Sequence, residues 1–314
     1  MLSKIKKIIK NPLLILETLG HHGMLNWISD ERYLKILFRI RMGKKLNLEN
    51  PQTFSEKMQW LKLYDRRSIY SNLVDKYEVK KYISNLIGEE YIIPTLGIWE
   101  RFDDINFDSL PNQFVLKCTH DSGGLVICRD KSQFNMKKAR KRMMRSLKHN
   151  YFYGNREWPY KNVKPRIIAE QYMENEATHD LRDYKFFSFD GDTKAMFIAT
   201  ERASDTEETK FDFFDMDYNH LDFRNGHPNA DVLPEKPACF EEMHALANKL
   251  SKGIPQVRVD FYEVNGRVYF GEMTFFHWSG MKPFEPEKWD RIFGDWIKLP
   301  TMLIEKEWSM ESDF

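Results

Sequence analysis

Through residues 1 to about 90 the apolar side chains recur every three to four positions, the period of helices with one buried face. One set runs through Trp27, Leu34, Leu37 and Phe38, and another through Phe54, Met58, Leu61 and Leu63. Thr53 followed by Glu56 has capping-box spacing and predicts that the second of these helices opens there. A further helix is predicted over 75–87, stopped by Gly88. Past Tyr91 the texture changes to strands and loops: a short apolar strand over 113–118, the loop Thr-His-Asp-Ser-Gly-Gly, and a second strand over 125–128. A basic helix follows over about 135–149, then a strand over 166–169, a hairpin turning at Asp190-Gly191-Asp192, and aromatic-rich strands near 211–214. A helix over about 240–251, a last hairpin over 257–273 and a Trp-rich tail complete the chain, with no internal repeat. Helices first and antiparallel hairpins afterwards predict an α+β fold, because a doubly wound parallel sheet would alternate strand and helix regularly.

Bulk numbers narrow the function more than the fold. A chain of 314 residues has room for one large domain or two to three subdomains around a substantial core. Its 23 Phe residues supply material for ring-lined pockets as well as cores. A net charge of +1 gives no case for nucleic acid as the main partner. Basic residues cluster at 137–148, read as a solvated helix face, and at 1–10. The latter opens an amphipathic stretch with Ile5, Ile8, Ile9, Leu13, Leu14 and Leu16, broken by Pro12. It is too interrupted to span a bilayer and has no signal-peptide pattern, so a docked helix is expected, with peripheral membrane contact the alternative. Cys118, Cys128 and Cys239 form no C-x-x-C pair or zinc spacing, which suggests a reducing cytoplasm, at most the inner face of its membrane.

Common nucleotide and hydrolase signatures are missing: there is no G-x-x-x-x-G-K-[ST], G-x-G-x-x-G, G-x-S-x-G or H-E-x-x-H. Three constellations remain. In the last hairpin Val257, Val259 and Phe261 alternate with Arg258 and Asp260, which places the charged pair on one face. A three-residue loop Val264-Asn265-Gly266 would set Arg258 across from Glu272, with Asp260 diagonal and Thr274 continuing the face; a two-residue Asn-Gly turn would send Glu272 to the other face. Two converging carboxylates suit magnesium completed by phosphate oxygens, and a salt-bridged surface hairpin is the alternative. Second, Lys117 ends a strand just before Ser122-Gly123-Gly124, a point charge at the root of a loop whose N–H groups can approach phosphate, or simply a turn. Third, the apolar strand at 167–173, followed by Asp183, offers an edge and a wall to a planar base, or only leaves the core.

In order and spacing, Lys117 with its glycine loop, Glu170-Gln171-Tyr172-Met173, Asp183, Arg258-Val-Asp260 and Glu272-x-Thr274 resemble the ATP-grasp fold. Upstream, Asp75-Lys76-x-x-x-Lys80, Gly88, Pro94 and Trp99 look like the opening of D-alanine–D-alanine ligases. More closely, Leu-Asn-Leu-Glu-Asn-Pro-Gln-Thr-Phe-Ser-Glu-Lys-Met-Gln-Trp at 46–60, Leu-Lys-Cys-Thr-His-Asp-Ser-Gly-Gly at 116–124 and the Val-Arg-Val-Asp-Phe-Tyr hairpin are similar to the TupA-like ATP-grasp proteins. That bacterial family is associated with teichuronopeptide and other surface-polysaccharide assembly. The resemblance spans about 45–295.

The resemblance implies two antiparallel-sheet subdomains with flanking helices, sandwiching ATP behind a helical N-terminal region. The segments would be a helical extension (1–45), a pre-ATP-grasp helical region (46–110), a small flap subdomain (111–173) and a metal and substrate subdomain (174–314). It further implies that Lys76 and Lys117 bind phosphates under a flap of Ser122, Gly123 and Gly124. Glu170 and the backbone of Gln171, Tyr172 and Met173 would hold adenine, with Asp183 on the ribose. Asp260 and Glu272 would carry one or two Mg²⁺, with Thr274 where many members have Asn. Arg258, together with Lys117, would serve the transferring phosphoryl group, and Lys185 and Arg202 would be further phosphate or substrate contacts. The implied reaction joins a carboxylate to an amine acceptor through an acyl phosphate, on a uronic acid or amino acid of a polysaccharide precursor. His277-Trp278-Ser279-Gly280 would line the acceptor site, or else be a packed Trp beside a surface His. Rival readings are a kinase on the same scaffold, a glycosyltransferase using the D-x-D tripeptides Asp190-Gly-Asp192 or Asp215-Met-Asp217, and a carbohydrate-binding module built on the 8 Trp.

Overall fold

The computed structural model describes residues 12–176, 181–200 and 208–301; Arg202 and the basic stretch 1–10 lie outside them. Five helices come first: α1 (Pro12–His21), α2 (Asp30–Met42), α3 (Phe54–Tyr64), α4 (Ile69–Val74) and α5 (Glu78–Ile87). In α2 the apolar stripe Tyr33, Leu34, Leu37 and Phe38 is buried, whereas Trp27 sits in the preceding turn and is 80% exposed, outside the pattern assigned to it. The capping box of α3 forms: Thr53 accepts from the Glu56 N–H, and the Glu56 carboxylate accepts from the Thr53 N–H. Helix α5 begins later than its sequence pattern because Asp75 is used as a cap, accepting from the N–H groups of Tyr77 and Glu78.

Two antiparallel sheets follow. The first comprises β1 (Thr95–Trp99), β2 (Phe114–Cys118), β3 (Leu125–Cys128) and β4 (Ile167–Gln171), ordered β1-β4-β2-β3. Helix α6 (Met136–Leu147) covers one face: Ala139 and Met143 pack with Phe114, Leu116, Cys118 and Ala169, while the Lys and Arg side chains of α6 point to solvent. The alternate residues Val115, Lys117 and Glu170 lie on the other face, toward the second sheet. The short helix α7 (Phe152–Asn155) packs against α1.

The second sheet is β5 (Asp183–Phe189), β6 (Asp192–Thr200), β7 (Lys210–Phe214), β8 (Val257–Val264) and β9 (Arg267–Thr274), ordered β7-β6-β5-β8-β9. Its outer face is closed by α8 (Phe240–Ser251), whose Phe240 meets Phe186. The inner face is divided. At one end Phe187, Phe197 and Phe213 stack together, and Phe187 meets Phe54 of α3 and Phe293 of α9 (Lys288–Trp296) edge-on. Toward the first sheet the same face carries Asp183, Lys185, Arg258 and Asp260. The aromatic surplus of the sequence thus anchors helices on half of a face whose other half is polar.

The β8–β9 hairpin departs from both geometries considered above. Its connection is the two-residue turn Asn265-Gly266, both with positive φ (52° and 72°), and Val264 pairs with Arg267. That turn alone would put Glu272 on the far face. A bulge at Gly271 inserts one residue and restores it, so Asp260 pairs directly with Glu272 and Arg258 with Thr274. Glycine suits the bulge because a Cβ would crowd the Asp260 carbonyl oxygen at 3.0 Å and the Tyr262 ring at 3.2 Å. Gly271→Val should therefore cost about 1–3 kcal/mol, read from urea unfolding.

Candidate active site

Arg258 organises the second sheet's contribution. Its Nε and one terminal nitrogen donate to the two oxygens of Asp260, each at 2.7 Å. That terminal nitrogen also reaches Glu272 at 3.3 Å and the Thr274 hydroxyl at 3.0 Å. The other terminal nitrogen donates to Nδ1 of His277 at 2.8 Å. Lys185, paired with Asp260 across β5 and β8, sits 2.5 Å from both Asp183 and Asp260. Burial works against the charge on Arg258, but Asp260, Glu272 and Asp183 outweigh it and hold the guanidinium more firmly protonated than usual. Burial also pushes the Asp260 carboxyl up, opposed by Arg258 and Lys185. Partial burial would raise Glu272 as well, yet Lys76, Lys185, Arg258 and the Thr274 hydroxyl bring it down to about 2.

The first sheet supplies a second charged group. Glu170 is buried and gripped by two lysines, Lys117 at 2.6 Å and Lys80 at 2.5 Å. The two lysines respond oppositely. Both are desolvated, but Lys117 also faces Glu272 and Asp183 and is raised, whereas Lys80 feels the Lys117 charge and is lowered. A small pocket between the sheets is lined by Lys76, Lys80, Lys117, Glu170, Phe270 and Gly271, among others. Lys76 donates to the Asp121 carbonyl at 2.8 Å, tying it to the root of the Ser122-Gly123-Gly124 loop, and Ser122 and Gly123 are exposed. Leu125 and Ile127, across from Lys117 and Val115, add an apolar wall 37% and 47% exposed.

Lys76, Lys117, the glycine loop, Glu170, Asp183, Lys185, Arg258, Asp260, Glu272 and Thr274 are thus gathered around one cleft. Gln171 closes the β4 ladder, its N–H on the Pro94 carbonyl. Tyr172 accepts from Arg129 and donates to Glu174, and Met173 follows it in irregular backbone. Arg202 lies outside the described residues. The D-x-D candidates serve as turns: Asp190 and Gly191 take positive φ between β5 and β6, and Asp215 accepts from the N–H groups of Asp217 and Asn219.

Tyr151, Glu157, Tyr160 and Lys62 join this region without any motif that marks them in the sequence. Lys80 was visible only as part of a spacing. Tyr151 and Tyr160 stack at 4.9 Å, and both phenols are raised, Tyr151 chiefly by Glu157 and Tyr160 by burial followed by Glu157, with Glu272 acting on each. Glu157 itself is buried and raised, and buried Lys62 is lowered by desolvation against the pull of Glu157. His277 is not a surface residue: it is buried, and burial, Arg258 and Lys185 hold it well below the usual histidine range. The neutral ring accepts from Arg258 at Nδ1, which assigns its proton to Nε2, 3.1 Å from Asn225 Oδ1.

The donor set fits magnesium better than a softer metal. Among the described residues no three His, Cys, Asp or Glu side chains form a metal cage, whereas Mg²⁺ needs only one or two carboxylates beside phosphate oxygens. Glu272 is the open carboxylate, its side chain 40% exposed, with Asp260 directly across the ladder. Thr274 donates to Glu272 at 3.1 Å and accepts from Arg258, which orients that carboxylate.

Two antiparallel sheets meeting at a lysine-rich cleft, with a glycine loop on one and a carboxylate hairpin on the other, define an ATP-grasp fold. The profile of the TupA-like ATPgrasp family matches residues 56–298, and the chain belongs to that family. ATP and Mg²⁺ are the ligands of this fold. No functionally curated protein matches the sequence. Among solved structures, D-alanine–D-alanine ligase from Bacillus anthracis complexed with ATP is 17% identical over 70% of this chain and 57% of its own, with a TM-score of 0.36. The corresponding ligase from Helicobacter pylori is 16% identical over 78% of this chain and 69% of its own (TM-score 0.38), and D-cycloserine synthetase DcsG is 16% identical over 72% and 69% (TM-score 0.38). The chain therefore spans little more than half the length of the first of these, and such identities say nothing about substrate. Among the described residues no helix is long and apolar enough to cross a membrane.

Two outcomes follow from the charges. Glu170→Gln leaves Lys80 and Lys117 facing each other without their anion and should cost about 3–5 kcal/mol, measured by urea denaturation. Glu272 has its folded pKa depressed from 4.5 to about 2, so the unfolded chain binds the extra proton between those values. Its contribution is complete above pH 4.5 and is lost as pH falls toward 2. Across that window the wild type should lose more stability than Glu272→Gln, as read from paired pH-dependent melting curves.

Proposed function

We propose that this protein is an ATP- and Mg²⁺-dependent carboxylate–amine ligase. The observation that carries the reading is the Arg258–Asp260–Glu272–Thr274 face set toward Lys117 across the cleft. Five cationic side chains (Lys76, Lys80, Lys117, Lys185, Arg258) there meet four carboxylates (Glu170, Asp183, Asp260, Glu272). Lysines on both walls, at a loop with exposed glycine, suit a polyphosphate more than a neutral ligand.

In this reading Lys76 and Lys117 hold the phosphates of ATP, the 122–124 loop closes over them, and Leu125 and Ile127 form the apolar wall for the base. Bound Mg²⁺, held by Glu272 with Asp260, would neutralise phosphate charge. A carboxylate oxygen of the first substrate attacks the γ-phosphorus, and the bond to the bridging oxygen of ADP breaks. Arg258 offsets charge on the transferring group, the usual source of catalysis in phosphoryl transfer. The acceptor amine then attacks the acyl carbon, the C–O bond breaks, phosphate leaves with one oxygen of the original carboxylate, and the amine releases a proton.

For the finer identity of the substrates we favour a uronic acid or amino acid of a surface-polysaccharide precursor. The sequence resemblance to the TupA-like proteins supports it. Trp278 agrees, being 43% exposed beside the β8–β9 hairpin and stacked on Phe211 at 6.2 Å, since a part-exposed indole suits a ring-bearing acceptor.

The test is ADP release from ATP·Mg²⁺ with a mixture of uronic acids and amino acids, using ¹⁸O-labelled carboxylates. Ligation transfers one label into phosphate, whereas phosphorylation of a hydroxyl transfers none and would replace this reading with a kinase. Asp260→Asn should lower turnover by about a hundredfold or more; full turnover in that variant would show that the metal and phosphoryl assignments are wrong.

A further inference from the structure

The loop after β9 runs against backbone preference. Trp278, Ser279 and Gly280 take φ values of 47°, 60° and 62° in succession. Two of the three carry side chains that disfavour the left-handed region, and such a run persists only where the surroundings over-determine it.

Those surroundings come from elsewhere in the chain. Gln59 of α3 donates to the carbonyls of Ser279 and Gly280 at 3.0 and 3.1 Å. Lys62, one turn further along α3, donates to the Ser279 carbonyl at 2.8 Å and approaches its hydroxyl at 3.1 Å. The Ser279 hydroxyl donates to Glu157 at 2.6 Å. Gln59, Lys62, Glu157 and Ser279 are all buried. Gly280 lies so close to α3 that a Cβ would sit 2.4 Å from the Met58 Cβ. An ammonium and a carboxylate buried together are a poor source of stability, since well-packed apolar residues of the same size do as well or better. Orientation is the better account of their presence.

What they orient is two residues away. His277 begins the loop, and its ring is the partner of the Arg258 nitrogen that does not touch a carboxylate or Thr274. Asn225 grips the far side of the ring, and its own amide nitrogen donates to the carbonyls of Lys282 and Pro283 at 3.0 and 3.2 Å. The loop thus fixes where His277 stands, and His277 holds the one edge of the guanidinium that Asp260, Glu272 and Thr274 leave free.

We propose that Ser279, clamped between Glu157 and the Gln59–Lys62 face of α3, is a positioning residue that aims Arg258 through His277. The helical N-terminal region then forms part of the ligase site, an inference that rests on Arg258 acting as described under Proposed function.

Ser279→Gly separates aim from stability. Glycine accepts the left-handed backbone without strain but leaves buried Glu157 without its hydroxyl donor, so the variant should stay folded with a modestly lower melting temperature while the anchoring hydroxyl is gone. With ATP·Mg²⁺ and the same mixture of uronic acids and amino acids, kcat should fall about tenfold to a hundredfold, with KM for ATP unchanged because Lys76 and Lys117 are untouched. Glu157→Gln, which can still accept the Ser279 hydroxyl bond, should retain more activity than Glu157→Leu. Wild-type kcat in Ser279→Gly alongside an inactive Arg258→Ala would overturn the positioning role and leave the ligase reading intact. A fall in kcat no larger than the loss of folded protein at the assay temperature would overturn it too, in favour of a structural role. Full turnover in Arg258→Ala would instead remove the ligase reading on which the proposal stands.

Discussion

Arg258 bonds at once to Asp260, Glu272, Thr274 and His277, and these contacts link three parts of the molecule. A guanidinium offers five donors in a rigid plane, so partners that satisfy it must themselves be held in that plane. Asp260 is held by Lys185 from the neighbouring strand, Glu272 by the Gly271 bulge and Thr274, and His277 by a loop braced on α3. Taking this cation from the face would leave Asp260 with Lys185 and no second donor, and the His277 ring without its partner.

Around that centre the fold solves a problem of like charge. Lysines 76, 80, 117 and 185 and Arg258 cannot share a low-dielectric cleft unless anions separate them. Glu170 does so on the first sheet, and Asp183 and Asp260 do so on the second. Glu272 differs because part of it remains open. Its depressed pKa reflects cations that are already present and would also attract phosphate.

The aromatic half of the second sheet has the complementary role. Phe187 meets Phe54, Phe293 and the His277 ring, so the surface that packs α3 and α9 runs directly into the charged end of the sheet. Rigidity is transmitted from a dry, ring-filled core to a polar site one or two residues away, and charged side chains on strands are better held than on loops.

Local chemistry was legible in the sequence wherever spacing alone specifies it. The Thr53–Glu56 box, the alternation in β8 and the amphipathic α6 each follow from side-chain periods of 2 or 3.6, and the order of Lys117, Glu170, Asp183, Arg258 and Glu272 carried the family resemblance. The register of β9 was not legible, because one glycine bulge reverses the face that a two-residue turn dictates, and the crowding by Asp260 and Tyr262 that favours glycine at 271 exists only once the strands have paired. Nor were Lys80, Glu157, Lys62 and Asn225, each of which gains its role by meeting a residue far along the chain. Trp27 shows the converse, an apolar residue in helical spacing that tertiary packing leaves in solvent. The sequence by itself determined the elements and the identities of the charged groups; tertiary structure alone decided which of those charges meet, because contact between remote segments depends on register and packing that no local period encodes.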